Sequence, residues 1–381
     1  MLGSADKFSS WMRDSVLPYF LANGIHYEGG IARRFLETLP DSTDLQRSRV
    51  QTRQLYVYAH ATRTGWIDAG QPVIDIAGCG LADFLSPDDA FYFARHNGGK
   101  CGINTYEQAF ALLAYSELYL LTGDTVFSRK AMRLHDWIKA HLTLEEGGYA
   151  INTSHPPLLS QNPIMHLFEA CLSWWRATGD PRWEQEAHRL FGLFERHLFN
   201  RRHQCLVEFF APGWRPTLPI SHQVDPGHHH EWTWLLYEYQ KIAGVDTAPI
   251  RQALQAFAVS CGENQATRAV MNEVFWDKSP FRAGGRLWCQ TERIKADVVN
   301  YRTAPTSARL TLIGTHVDTL FGNYIEGEPP GLYCDEINGH GERIFGLAPS
   351  STLYHLYVAC RQLDDLNQSD QSTLIPPYSR I

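Results

Sequence analysis

Two residue pairs have the types and spacing for proton chemistry: His166 with Glu169, and His228 with Glu231. Three residues apart on a helix, both side chains share a face, so the carboxylate can orient its imidazole or shift its charge. A single such pair commonly marks no more than a helix N-terminal turn with a solvated carboxylate. Two of them, each approached through proline (Asn162-Pro163 and Asp225-Pro226-Gly227), point to a shared site. Four histidines, His222, His228, His229 and His230, fall within nine residues, and histidine with carboxylate is also a metal-ligand combination. Consecutive helical residues point about 100° apart, so His228, His229 and His230 cannot converge on one ion. The expectation is no metal, with His229 and His230 serving as packing or surface residues.

These residues must be positioned by helices. Apolar positions recur with helical period over about 9–22, 45–64, 106–121, 128–142, 165–177, 183–198, 231–242, 249–261, 290–300, 304–320 and 351–363. Short extended pieces interrupt them at 147–151, 205–210, 270–276 and 331–334. Three helix-to-helix links share one chemistry: Thr122-Gly123-Asp124, Thr178-Gly179-Asp180 and Gly244-Val245-Asp246. Glycine supplies the left-handed residue past a helix end, and aspartate caps the next helix. The other links are long and hold the strands, prolines and most histidines. Arg53, Tyr106, His166, His228, Glu292 and His355 open or line successive odd helices, at separations of 53, 60, 62, 64 and 63 residues. Six such units predict an all-α fold, an (α/α)6 barrel built as a toroid of six helical hairpins. Short β-strands are expected in the long loops on one face, and residues 1–381 are read as a single catalytic domain.

Composition narrows the partners. The formal net charge is −7 and the chain has no basic block, which argues against nucleic acid. The eight cysteines are scattered singly, so neither a zinc ribbon nor a disulfide framework is signalled. No run of about 18 apolar residues suggests a membrane span, and a cytoplasmic location is the default expectation. The chain holds 11 Trp, 17 Tyr and 19 Phe, a supply suited to stacking on sugar faces. A homo-oligomer is compatible with this composition.

The motifs also carry a resemblance. Asn162-Pro163, Met165-His166-Leu167 and Glu169-Ala170 form one element, and Pro226-Gly227-His228 with Glu231-Trp232 and Trp234-Leu235 another. Leu287-Trp288, Gln290-Thr291-Glu292 and Lys295-Ala296 follow, then Pro349, Ser351 and Leu353-Tyr354-His355. Together with Gln51, Arg53, Tyr56, Tyr106 and Gln108-Ala109-Phe110, they resemble the N-acylglucosamine 2-epimerase family over about residues 45–360. The resemblance implies the (α/α)6 barrel, and the acid/base pair His228 and His355 with Arg53 beside the reacting oxygens. It further implies a sugar pocket of Asn162, His166, Glu231 and Gln290, with Trp288 and Tyr106 against the ring and Glu292 nearby. Cys289 and Glu107 depart from the family pattern, which bears on substrate contacts only.

The runs Ser160–His166 and Ala348–His355 look most like the mannose and sulfoquinovose isomerase branch. The expected reaction is aldose–ketose isomerisation, mannose to fructose, through a cis-enediolate after ring opening. Histidine has the pKa for the base, and a fixed arginine suits the anionic intermediate. No cofactor is expected, since no G-x-G-x-x-G follows a strand. No phosphate loop or basic cluster at the mouth is visible in the sequence, which favours an unphosphorylated monosaccharide. A 2-epimerase is the alternative. A glycoside hydrolase using Glu231 and Glu292, or a non-catalytic sugar binder, would leave the histidines idle.

Overall fold

The computed structural model describes residues 2–41, 43–217, 222–344 and 346–374. An inner ring is formed by α3 (Ser48–Arg63), α5 (Thr105–Thr122), α7 (Gln161–Thr178), α9 (Pro226–Ala243), α11 (Leu287–Thr303) and α13 (Leu353–Leu374). Each packs on the next, and α13 packs back on α3, so the ring closes. Outside it run α4 (Gly70–Gly78), α6 (Thr125–Leu142), α8 (Pro181–Leu193), α10 (Ala248–Cys261) and α12 (Ser307–Tyr324). The sixth outer position is taken by α1 (Leu2–Trp11), which continues through one π-helical turn, Met12–Val16, into α2 (Leu17–Asn23). Since α1 lies on α13, the last hairpin joins the two ends of the described chain. The architecture is an (α/α)6 barrel.

Position in the ring explains the burial patterns. Outer helices are amphipathic: α6 buries Phe127, Ala131, Leu134, Ile138 and Leu142, the inward stripe of a 3.6-residue period. Inner helices are covered on all sides, and α5 buries almost every residue from Thr105 to Leu118. Gly123, Gly179 and Gly244 adopt φ of 68°, 67° and 70° at the ends of α5, α7 and α9. Asp124, Asp180 and Asp246 accept from the amides of Val126, Arg182 and Ala248, as the turn chemistry predicts. The helix α4 escapes a periodicity reading because it is nine residues long and contains two glycines and a proline. The segment 331–334 forms no strand. Gly331 turns there with φ of 85°, and the neighbouring strand is Glu336–Ile337.

The short strands lace the mouth. Gln46–Arg47, Leu159–Ser160, Gln223–Val224, Gly285–Arg286 and Ala348–Pro349 each precede an inner helix, the last through a 3-10 turn at Ser350–Thr352. Each pairs antiparallel with a strand in the loop approaching the next inner helix round the ring. Asn104 makes the equivalent single bridge, to Asn152. The last pair, Ala348–Pro349 with Thr38–Leu39, closes the circle.

Glutamines pin these loops to the helices. The amide of Gln51 accepts from Phe35 N–H and donates to its C=O, at 2.7 and 2.9 Å. Gln108 does the same to Phe91, and Gln290 to Val270. Each side chain replaces a missing stretch of ladder for a buried peptide. Gln290→Leu should therefore leave two buried backbone groups unpaired and cost about 2–4 kcal/mol. Urea unfolding at constant m-value measures this, and Gln108→Leu should cost a similar amount.

Candidate active site

The N-terminal ends of the inner helices converge on a cleft of about 580 Å³. Their dipoles point positive ends inward, a setting that favours an anion. Of the residues singled out in the sequence, Arg53, Tyr106, Asn162, His166, His228, Glu231, Trp288 and His355 line it. Two do not reach the wall. Gln290 spends its amide on Val270, and Glu292 sits wholly buried behind His355. The sugar-pocket positions given to both are thus corrected to a loop clamp and a histidine partner.

Both imidazoles flank one indole: the ring centres of His228 and His355 lie 5.1 and 5.5 Å from that of Trp288. Gly227 allows this approach, because a Cβ there would lie 2.8 Å from the Trp288 ring. Nδ1 of His355 meets Glu292 Oε1 at 2.8 Å. Nδ1 of His228 meets Glu208 Oε2 at 3.0 Å, with Asp225 Oδ2 at 3.8 Å. The partner expected from the i, i+3 spacing, Glu231, is not the one bonded. Glu208 lies between two short strands, where no local spacing links it to His228. It is held by Gln161 Nε2 at 2.9 Å, and Gln161 in turn accepts from Trp232 Nε1. The other pair forms as expected, with His166 Nδ1 and Glu169 Oε2 3.0 Å apart.

The two pairings produce opposite charge states. Burial alone would lower His228, but Glu208 and Asp225 raise it to about 9. His355 is pushed well below the usual imidazole range by burial and by the cations Arg53 and Lys295. Its carboxylate Glu292 shares its charge with Lys295 Nζ at 2.5 Å, so the imidazole gains less from it. His166 is lowered to about 4, chiefly by burial. Burial and the neighbouring Glu292 raise Glu231 well above the carboxylate range. At neutral pH the cleft thus offers a cationic His228 opposite a neutral His355.

Arg53 donates to Tyr106 Oη at 2.7 Å and to the Ser351 carbonyl at 3.3 Å, and stacks on Phe110. It is not alone: Arg47, Arg49 and Arg286 also line the cleft, which corrects the expectation of no basic cluster at the mouth. They come from two separate loops and helix starts, so no sequence run reveals them. Each is matched by a carboxylate: Arg47 by Glu37 and Arg49 by Glu107 at 2.8 Å, Arg286 by Asp225 at 3.3 Å.

Metal-ligand atoms do gather behind the wall. His166, Glu169 and Glu231 form one group within 4.8 Å, and Glu231, Glu292 and His355 another. Glu292 already has a cation in Lys295, and Glu169 accepts from His166 and from the Tyr354 hydroxyl. The remaining histidines of the 222–230 cluster disperse. His222 stacks on Trp276, His229 bonds Leu206 N–H and the Asp225 carbonyl, and His230 meets Gln255. A second cavity, of about 700 Å³, opens at the C-terminal ends of the inner helices. Arg63, Arg176, Lys241, Arg302 and Arg361 line it, opposing the negative helix ends.

The profile of the N-acylglucosamine 2-epimerase (GlcNAc 2-epimerase) family matches residues 31–359. A mannose-6-phosphate isomerase of Rhizobium meliloti is 29% identical over 380 residues, covering 95% of this chain and 97% of that protein. A D-mannose isomerase crystal structure superposes with a TM-score of 0.83 at 17% identity, covering 94% of this chain and 97% of the other. The cellobiose 2-epimerase of Spirochaeta thermophila superposes with a TM-score of 0.81 at 19% identity, covering 96% and 97%.

The charge states set a pH dependence. A group raised to about 9, such as His228, stabilises the fold fully below its unfolded value near 6.5, and that contribution fades as pH rises through about 9. Groups lowered to about 4, such as His166 and His229, act the other way, and stability falls as pH drops from 6.5 towards 4. Thermal unfolding followed against pH should therefore show its maximum between these limits. His228→Gln should remove the decline approaching pH 9.

Proposed function

The chain belongs to the N-acylglucosamine 2-epimerase family, and from that membership we propose that it isomerises an aldose to a ketose, free mannose to fructose. Members of the family are sugar isomerases and 2-epimerases, so a small-molecule sugar is the substrate. The observation that carries the finer reading is the pair of imidazoles beside Trp288, each held at Nδ1 by its own carboxylate yet in opposite charge states. Cationic His228 protonates the ring oxygen as the bond from carbon 1 to that oxygen breaks, and the proton leaving the carbon-1 hydroxyl returns to His228, so the aldehyde forms and the acid is restored. Neutral His355 then removes the proton from carbon 2 through Nε2. Arg53 holds the two oxygens of the cis-enediolate, whose charge the inward helix ends also favour. His355 returns the proton to carbon 1, the hydroxyl proton passes from oxygen 2 to oxygen 1, and the ketose results. A glycoside hydrolase would need carboxylates on opposite sides of the bond. Glu231 and Glu292 instead cluster together, with Glu292 engaged by His355 and Lys295.

One observation favours the 2-epimerase alternative. His228 is a proton donor on a different helix from His355 and could return a proton to the opposite face of carbon 2. Incubation with mannose separates the readings: fructose is the expected product, and glucose in its place would establish epimerisation. His355→Asn keeps volume and hydrogen bonding but removes the base. It should lower turnover by roughly two to four orders of magnitude, with thermal unfolding near wild type. Its carbon-2 exchange in deuterated water should fall in parallel, and exchange at the wild-type rate would refute the assignment. His228→Asn should be impaired on the pyranose yet retain exchange on an aldehyde analogue that needs no ring opening.

Two further outcomes are expected. Turnover should survive exhaustive chelation and dialysis, because His228, His355, Arg53 and Lys295 supply acid, base and charge; recovery dependent on one added divalent ion would overturn this. Mannose should be turned over at least as well as mannose 6-phosphate, since Arg47, Arg49 and Arg286 are already matched by carboxylates. Faster turnover of the phosphate ester would show that these arginines exchange partners for the substrate.

A further inference from the structure

Lys295 is completely buried on α11, one turn beyond Glu292. Its ammonium lies 2.5 Å from Glu292 Oε2 and 3.7 Å from the centre of the Trp234 ring. The other oxygen of Glu292 holds His355 Nδ1. Lys295 therefore stands two atoms groups behind the cleft wall, out of reach of a sugar, at the inner end of a line that runs Lys295–Glu292–His355. A buried ammonium is costly unless an opposite charge holds it, and a Gln–Met pair would fill the same space without charge. Packing alone does not account for a lysine here.

The groups around it come from every neighbouring inner helix. Its charge acts on Glu231 of α9, on Glu169 of α7 and on His355 of α13; Glu169 is held by His166 and by Tyr354 of α13, and the charge of Arg53 on α3 also reaches His355. Phe110 on α5 completes the shell around Arg53 and His166. Three buried carboxyl groups thus crowd the wall between the cleft, which Glu231 lines, and the rear cavity, which Glu169 lines. Glu169 has two hydrogen-bond donors of its own, and burial raises Glu231 well above the carboxylate range. The charge on Glu292 depends on Lys295.

We propose that Lys295 is a positioning residue for the proton transfer: its ammonium keeps Glu292 ionised, and ionised Glu292 holds Nδ1–H of His355, leaving the Nε2 lone pair free towards the cleft. The proposal rests on His355 being the base. Burial already pushes the Glu292 carboxyl up, and Lys295 is the leading influence against that rise. Without the ammonium, Glu292 takes up a proton and donates it to Nδ1. The imidazole hydrogen then moves to Nε2, and this tautomer cannot accept a proton from carbon 2. Activity would now require Glu292 to lose its proton, so the acid limb of the pH profile moves to higher pH.

The test is Lys295→Met, which keeps length and apolar stem. Turnover at neutral pH should fall about 10²–10⁴-fold, the scale of losing the correct tautomer of a catalytic histidine. KM should stay within about 3-fold, and the acid limb of kcat/KM should rise by about one pH unit or more. Glu292→Gln/Lys295→Met removes both charges and restores an acceptor for Nδ1–H, so turnover should recover about 10-fold or more over the single variant. Spectra of 15N-histidine-labelled protein, with His355 assigned by its loss in His355→Asn, should show the Nδ1–H tautomer in wild type. They should show the Nε2–H tautomer in Lys295→Met. These spectra need no substrate, so they decide the proposal even where the wild-type protein leaves mannose unchanged. A Lys295→Met protein with a wild-type pH limb and tautomer overturns the proposal. Where that variant unfolds, the double variant decides: folded with the Nδ1–H tautomer it supports the charge argument, and unfolded it reduces Lys295 to a structural role.

Discussion

A closed ring of six helices has no lateral exit for water, so a charge placed inside it must be matched by another group of the ring, on its own helix as for Lys295 and Glu292 or on a neighbouring one. That constraint organises the whole molecule. Glu292 on α11 meets His355 on α13, Arg53 on α3 meets Tyr106 on α5, and Glu169 on α7 accepts from Tyr354 on α13. At the far end Arg63 pairs with Glu117 and Arg176 with Glu238, again across neighbouring helices. An open solenoid could leave such groups to solvent. Here each match also fixes the register of one helix against another, so polar chemistry and ring closure support the same geometry.

The same constraint lets two identical side chains beside one indole take opposite charge states. Besides His228, Glu208 is held by a neutral donor, Gln161 Nε2, so its negative charge acts on the imidazole. Glu292 has Lys295 as well, and the charge of Arg53 also acts on His355. The difference between the two imidazoles therefore lies in what stands behind their carboxylates. In water such a difference would be screened. In a buried site it separates the histidines far enough for one to be an acid and the other a base.

Much of this was legible in the sequence, because the repeat spacing reports the ring. Arg53, Tyr106, His166, His228, Glu292 and His355 recur once per unit since each occupies the first turns of an inner helix. The contact of Glu292 with His355 joins successive members of that series. Helix starts were harder to read, because those first turns are polar: α9 begins at Pro226 and α11 at Leu287, ahead of the apolar period. Glu208, Asp225 and the arginines were missed for another reason. They reach the cleft from loops whose paths are set by pairing round the mouth, such as Leu159–Ser160 with Phe209–Phe210. No local spacing encodes a contact between residues 20 or 61 apart. Gln290 misled for a third reason, since a polar residue in a sugar-site motif can serve a backbone instead of a substrate.

The two ends of the barrel are chemically unlike because helices have direction. All six inner helices present N-termini at the cleft, where inward dipoles favour negative charge. Their C-termini meet at the rear, where five basic side chains answer the opposite dipole. Negative charge is therefore favoured at one end, and the long strand-bearing loops lie at that end. Lacing those loops by short antiparallel strands gives the mouth a rigid rim without filling it. The ring supplies the field, the strands hold the rim open, and the buried carboxylates decide which imidazole carries the proton.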